Sequence, residues 1–201
     1  MIKYIVFDFD GTLADTLSFI KEIAYEEFEN VSDHDFDVLR EEGVGALIKE
    51  RKIRFWNLPK TVLKLTSRMT NVQGINLFPE VIDSLLVLSQ SYKLGIVSSN
   101  SEKNIFDNLK KHNVHHLFDF IFSQSSLFGK DKVLKKMCKK HQIHHSEVIY
   151  VGDEDRDIVA AKKAKIKNIA VSWGYNSKNK LRQLNPDFLV NSPKEMVSYL
   201  S

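Results

Sequence analysis

The sequence contains a single cysteine, Cys138, among 201 residues. One thiol cannot close an internal disulfide, and no second cysteine joins it in a catalytic arrangement. No apolar run approaches the roughly 20 residues that a membrane-spanning helix needs, so no membrane partner is expected. Only a few apolar residues precede Asp8 and Asp10. That is too short for the apolar stretch of a secretory leader, and a cytoplasmic protein is the expectation. Internal repeats and low-complexity tracts are missing as well. A strong charge imbalance is also absent, with Lys+Arg 29 against Asp+Glu 26 and a formal net charge of +3. The small surplus sits in stretches such as Lys135, Lys136, Lys139 and Lys140, at the spacing of a solvated helix face rather than a nucleic-acid patch. No nucleic-acid partner is expected, while a mildly basic surface suits a small phosphorylated metabolite. The chain is read as a monomer or weak homodimer.

What is present is ample material for a core: 43% of the residues are hydrophobic, enough for one domain or one domain with a small insert. Residues 3–9 (KYIVFDF) form a short apolar run that ends in acid, which suits a buried strand with functional residues at its tip. Similar runs recur at 93–98, 119–122, 147–151, 168–172 and 187–190. Amphipathic helical patterns separate most of them, over 79–90 (with Pro79 at a first turn), 101–111, 130–141 and 154–164. Alternating strands and helices predict an α/β fold, a doubly wound parallel sheet covered on both faces. Residues 15–78 break the rhythm. Phe19, Ile20, Ile23, Ala24 and Phe28, then Val62, Leu63, Leu65 and Met69, follow helical spacing without a convincing strand, and Pro59 behind Asn57 looks like a helix start. The expectation is a core domain of residues 1–14 and 79–201, with an all-helical insert over 15–78.

Four places carry chemistry. In Asp8-Phe9-Asp10-Gly11-Thr12-Leu13 the two acids stand two residues apart, so on a strand they share a face. In a parallel sheet they look out at the mouth where ligands bind. Gly11 permits a sharp turn and Thr12 adds a hydroxyl. In Gly152-Asp153-Glu154-Asp155-Arg156-Asp157, Asp153 sits at a strand tip and Asp157 one helical turn later. Ser98, Ser99 and Asn100 lie where a strand meets a helix, so hydroxyls stand beside free helix N–H groups, a ready anion site. Lys130 follows Gly129 at the head of another helix. If Asp8, Asp10 and Asp153 converge at about 4 Å, each pair repels by about 4 kcal/mol at an effective dielectric of 20. Such a site calls for a hard cation, and oxygen-only ligands beside a phosphate point to Mg²⁺. The histidines (His34, His112, His115, His116, His141, His144 and His145) fall in Lys-rich loops and helix ends away from the strand tips. They are read as surface residues rather than metal ligands.

These segments, in this order over nearly the whole chain, resemble the four motifs of the haloacid dehalogenase-like (HAD) hydrolases. DFDGTLADT is similar to the first, Ser98 after LGIV to the second, Lys130 to the third and GDEDRD to the fourth. The placement and size of the insert, and the stretch AVSWGYNS at 170–177, resemble the phosphoglycolate phosphatase-like and β-phosphoglucomutase-like branch. Asp131 departs from that pattern, where many relatives carry proline. The resemblance implies a Mg²⁺-dependent phosphatase with Asp8 as nucleophile and metal ligand. It implies Asp10 as general acid and base, with its backbone carbonyl on the metal. Ser98, Ser99 and Lys130 are implied as phosphate-binding residues, Asp153 as a metal ligand and Asp157 as its support. A phosphomutase and a non-catalytic phosphometabolite-binding protein stay open as alternatives. A 2-haloacid dehalogenase does not fit, having no leaving alcohol for Asp10 to protonate. Within the insert, Gly43 and Gly45 suggest a flexible turn, and Arg51, Lys52 and Arg54 are candidate specificity residues, since arginine forks suit a substrate carboxylate. Hinges are expected near Ala14–Thr16 and Leu77–Pro79.

Overall fold

The computed structural model describes residues 1–27, 29–43, 75–123 and 129–200. Six parallel strands form one sheet: β1 (Tyr4–Phe7), β2 (Lys93–Ser98), β3 (Phe118–Ser123), β4 (Val148–Gly152), β5 (Lys167–Val171) and β6 (Phe188–Val190), in the spatial order β3-β2-β1-β4-β5-β6. The chain runs outward from β1 in one direction, then returns to β4 on its other side and runs outward again. β1 and β4 therefore flank the point where the winding reverses, and there the loops leaving the strands part to open a crevice. The register places Phe7 beside Val151 on one side and Ile96 on the other. The predicted doubly wound sheet is the one observed, each strand within a residue or two of its expected limits.

Strand residues alternate between two apolar layers, as a period of two requires. Ile5, Phe7, Leu94, Ile96 and Val151 belong to one layer, with Leu85 of α3 (Val81–Leu88), Ile105 and Leu109 of α4 (Glu102–Lys111) and Met196 of α8 (Pro193–Leu200). Val6, Val97, Val148 and Tyr150 belong to the other, with Leu134 and Met137 of α5 (Lys130–His141) and Ala160 and Ala161 of α6 (Asp155–Ala164). Pro79 does not open α3. Glu80 takes a left-handed conformation (φ 63°) at the N-cap, so the helix begins at Val81 and Pro79 lies in the preceding turn.

The described part of the insert holds α1 (Thr16–Glu27) and α2 (Asp33–Glu41). The expected α1 is present; Phe28, the 62–69 pattern, Pro59, Gly45, Arg51, Lys52 and Arg54 lie outside the described residues. α2 had no apolar run to announce it. Its start is fixed by Ser32, whose N–H and Oγ–H both donate to Asp35 Oδ2 at 2.8 Å, an aspartate version of the capping box. Leu17, Ala24 and Phe36 pack these two helices together. Where the chain enters and leaves the insert, its two passes run antiparallel, with Asp15 N–H donating to Asn76 O (2.9 Å) and Phe78 N–H to Leu13 O (3.0 Å). A last short helix, α7 (Lys178–Gln183), touches α2.

Leu134, with no exposed surface, is held in the second layer, whereas Val159 of α6 is 39% exposed. Leu134→Ala is expected to lower unfolding stability by about 2–5 kcal/mol, from lost burial plus the cavity left behind. Val159→Ala should stay within about 0.5 kcal/mol. Urea titrations of both variants check this; equal losses would show that the layer is not organised as described.

Candidate active site

Phe7 is the last residue of β1, and Asp8 continues its ladder by one bond, its N–H donating to Val151 O at 2.8 Å. Asp8 is thereby set at the β1/β4 crevice, 3% exposed. Its Oδ1 accepts from Phe9 N–H (2.8 Å) and its Oδ2 from Lys130 Nζ (2.5 Å). Lys130 also donates to Asp157 Oδ1, so a single ammonium joins two acids carried by β1 and α6. Burial opposes the lysine charge, but the carboxylates of Asp157 and Asp8 prevail and hold its pKa well above the usual value. Lys130 owes this position to Gly129, whose φ of 122° turns the chain into α5 where a side chain would be strained.

Asp153 follows β4 directly and has no measurable exposure. Its Oδ1 accepts from the Thr12 hydroxyl (2.7 Å) and its Oδ2 from Tyr175 N–H (2.7 Å). Neither donor is a cation, so this buried carboxylate lacks a counter-charge from the described residues. Burial, then the charges of Asp157, Glu154 and Asp8, push its pKa well above the ordinary carboxylate range. Close approach explains Gly11: at φ 77°, a Cβ there would stand 2.2 Å from Asp153 Oδ2. The 173–176 loop closes the other side, with Trp173 Nε1–H donating to Thr12 O (3.0 Å) and the Tyr175 hydroxyl to Thr16 Oγ1 (2.8 Å). Asp157 completes the group, its Oδ2 accepting from Glu154 N–H at 3.0 Å. Among the described residues, Asp8, Asp153 and Asp157 offer carboxylate oxygens that all lie within 4.8 Å of one another, and all three residues are buried.

Asp10 faces the same crevice and is only partly buried. Both its oxygens accept from the Asn100 side-chain amide, at 3.2 and 3.1 Å. Desolvation, then the Asp8 charge, push its pKa up to about 7 against the pull of that amide. Ser98 is buried at the end of β2, with Oγ accepting from Asn100 N–H (3.2 Å), while Ser99 is exposed on the crevice wall. Ser101 caps the helix that follows, its side chain accepting from Asn104 N–H at 3.2 Å, while the Asn100 amide serves Asp10.

The structure thus gathers Asp8, Asp10, Ser98, Ser99, Lys130, Asp153 and Asp157 at one mouth of the sheet. A cleft of about 610 Å³ opens over them, lined among the described residues by Asp8, Asp10 and Ser99 of the core and by Ile20, Leu39 and Gly43 of the insert. Sequence reasoning missed three participants: Asn100 as the partner of Asp10, Tyr175 as a backbone donor to Asp153, and Arg156, which lines the cleft paired with Glu154. Only Arg156 had a signal of its own, a lone cation inside the acidic run GDEDRD. None of the histidines belongs to this group among the described residues.

Similarity to other proteins extends over the whole fold. A phosphoglycolate phosphatase of Synechococcus elongatus is 30% identical over 203 residues, covering 98% of this chain and 96% of that one. The pyrophosphatase PpaX of Oceanobacillus iheyensis is 26% identical over 208 residues, again covering 98% and 96%. The structure of a haloacid dehalogenase-like family hydrolase from Streptococcus pneumoniae superposes with a TM-score of 0.83 at 25% identity, over 100% of this chain and 99% of that one. The pattern of the haloacid dehalogenase-like hydrolases matches residues 5–171. It takes in all four chemistry-bearing segments, and with them the chain belongs to the haloacid dehalogenase-like hydrolase family.

Proposed function

We propose that this hydrolase is a Mg²⁺-dependent phosphatase that cleaves a small phosphomonoester through an aspartyl-phosphate on Asp8. The observation that carries the reading is the pairing of a buried Asp8 carboxylate with Lys130, while a second acid, Asp10, stands two residues on at the open side of the same crevice. A nucleophile, a fixed positive charge and a separate proton carrier are what phosphoryl transfer requires.

In the first half-reaction an Asp8 oxygen attacks phosphorus and the ester oxygen leaves. Asp10 gives that oxygen its proton, so the alcohol departs neutral. Water then attacks the phosphorus of the acyl phosphate and Asp10 takes its proton, restoring Asp8 and releasing inorganic phosphate. Asn100 holds the Asp10 carboxylate through both of its oxygens. Ser98, Ser99 and Lys130 are the groups that receive the phosphoryl oxygens, and the crevice restricts water. The residues fit a hard divalent cation, because Asp153 is buried with only neutral donors and lies within ligand reach of Asp8 and Asp157. Asp8, Asp153 and the Asp10 carbonyl would hold it, supported by Asp157; once bound it offsets negative charge on the phosphoryl group. The insert over 15–78 is read as a cap that covers the leaving group. Phosphoglycolate is the first substrate to try, since the relative at 30% identity is named for it. A screen of phosphorylated metabolites, inorganic pyrophosphate included, decides the physiological one. Among the described residues no helix is long and apolar enough to cross a membrane.

Asp8→Asn is nearly isosteric and cannot form the acyl phosphate. It should abolish hydrolysis of p-nitrophenyl phosphate with an unchanged circular dichroism spectrum, and turnover near the wild-type rate would remove Asp8 from the scheme. Chelation with EDTA should stop turnover and added Mg²⁺ restore it, with Asp153→Ala raising the Mg²⁺ concentration needed. Full activity in metal-free buffer would refute the metal assignment. Asp10→Asn should cost about 10²–10⁴-fold with alkyl phosphates and distinctly less with p-nitrophenyl phosphate, whose leaving group departs unprotonated. Equal losses on the two esters would deny Asp10 the acid role.

A further inference from the structure

The chemistry above uses Lys130 as the cation of the phosphoryl site, yet the cleft wall carries another, and it is placed differently. Arg156 stands in the first turn of α6, three residues beyond Asp153, and its side chain is 37% exposed on the wall that also carries Asp8 and Asp10. Its Nε–H and Nη2–H both donate to one oxygen of Glu154, Oε1. The guanidinium is therefore anchored along one edge, and the Nη1 edge has no partner among the described residues. Glu154 itself is only partly exposed and is fixed to α6 as its N-cap. An arginine held this way cannot swing out into solvent without abandoning two charge-assisted hydrogen bonds. It presents a pre-oriented donor edge to the cleft, where an anion can be gripped at little cost in side-chain freedom.

Asp157 and Asp8 add to the negative field around Arg156, but among the described residues only Glu154 takes hydrogen bonds from it. Asp8 and Asp157 already share Lys130, and Asp155 pairs with Lys180 at 3.3 Å. Arg156 gives Glu154 two of its five N–H donors, and its side chain lines the cleft together with Asp8 and Asp10.

We infer that Arg156 is a specificity-determining residue that binds a second anionic group of the substrate, so that the preferred esters carry a carboxylate or a second phosphate besides the phosphoryl group being transferred. The inference deepens the phosphatase reading and rests on it. It places recognition on the rigid core, independently of any contribution from Arg51, Lys52 and Arg54 of the insert.

The test compares kcat/KM for two esters of matched size and leaving group, 2-phosphoglycolate and ethyl phosphate, in the Mg²⁺-loaded protein. Wild type should prefer the acid-bearing ester, and Arg156→Gln should cut that preference about ten- to hundredfold, the range for a lost hydrogen bond to a charged group. Arg156→Lys, which keeps the charge without the fork, should fall between. Thermal melts of both variants check that the fold persists. Lys180→Gln, removing the other cation that lines the cleft among the described residues, should leave most of the preference in place. If the wild-type protein hydrolyses both esters equally, or if Arg156→Gln keeps the preference, the inference is overturned while the phosphatase reading stands. If neither ester nor p-nitrophenyl phosphate is hydrolysed, the phosphatase reading itself fails, and Arg156 with it.

Discussion

Three buried carboxylates crowded into one crevice are the constraint from which the rest of this structure follows. Asp8, Asp153 and Asp157 bring oxygens within 4.8 Å of one another. At about 4 Å each ionised pair repels by about 4 kcal/mol at an effective dielectric of 20. The one ammonium in direct contact among the described residues, Lys130, reaches two of the three. Asp153 is left to a hydroxyl and a backbone N–H. A fold meant only to be stable would not gather acids in this way, because a buried charge without a partner costs several kcal/mol. The arrangement becomes reasonable when positive charge arrives with a ligand.

The sheet makes the crowding geometrically feasible. Asp8 and Asp153 are neighbours because β1 and β4 are, although 145 positions separate them in the sequence. The winding reverses between those strands, so no crossover helix blocks the space above them. The turns that follow are shaped to let the acids meet. Gly11 has φ 77° and almost no room for a Cβ, and Gly174 is equally confined, with Gly11 O at 2.2 Å from where its own Cβ would stand. The loop carrying Gly174 supplies Tyr175 N–H to Asp153 and Trp173 Nε1–H to Thr12 O. Two loops far apart in sequence thus interlock around a single carboxylate, through one backbone donor, Tyr175 N–H, and two side-chain donors, the Thr12 hydroxyl and Trp173 Nε1–H.

Sequence alone disclosed the parts of this design that are local and periodic. Strand runs such as EVIYV alternate or are wholly apolar, and their acidic ends stand out against them, so the strand tips and the acids on them were legible. Asn100 was read only as part of an anion site beside a helix N-terminus. Only the meeting of β1 and β2 in space reveals that its amide points to Asp10, 90 residues away. Tyr175 was invisible for a stronger reason: it acts through a main-chain N–H, which every residue but proline possesses. α2 escaped notice because its start depends on Ser32 and Asp35 rather than on an apolar stripe. In each case a contact between distant segments, or a backbone group, carried the information.

The attachment of the insert follows the same division between buried and exposed bonds. The two passes that join it to the core are tied by Asp15 N–H to Asn76 O and Phe78 N–H to Leu13 O, with Leu13 and Ala14 buried. Farther out, α2 meets the core through Ser177, whose N–H donates to Arg40 O (3.1 Å) and whose hydroxyl donates to Glu41 (2.7 Å), and through Arg40 Nη2–H, which donates to Ser172 O (3.3 Å). The Ser177–Glu41 contact is exposed, and each of these three outer bonds is worth about 0.5–1.5 kcal/mol net, because water replaces a lost partner there. The Tyr175 hydroxyl bond to Thr16 lies between the two sets, close to the pivot. If the insert opens over the cleft, the least costly path breaks the Arg40 and Ser177 contacts and leaves the paired passes intact as the axis. Tyr175 would then join the insert to the donor that steadies Asp153, linking the position of the cover to the geometry of the acid beneath it.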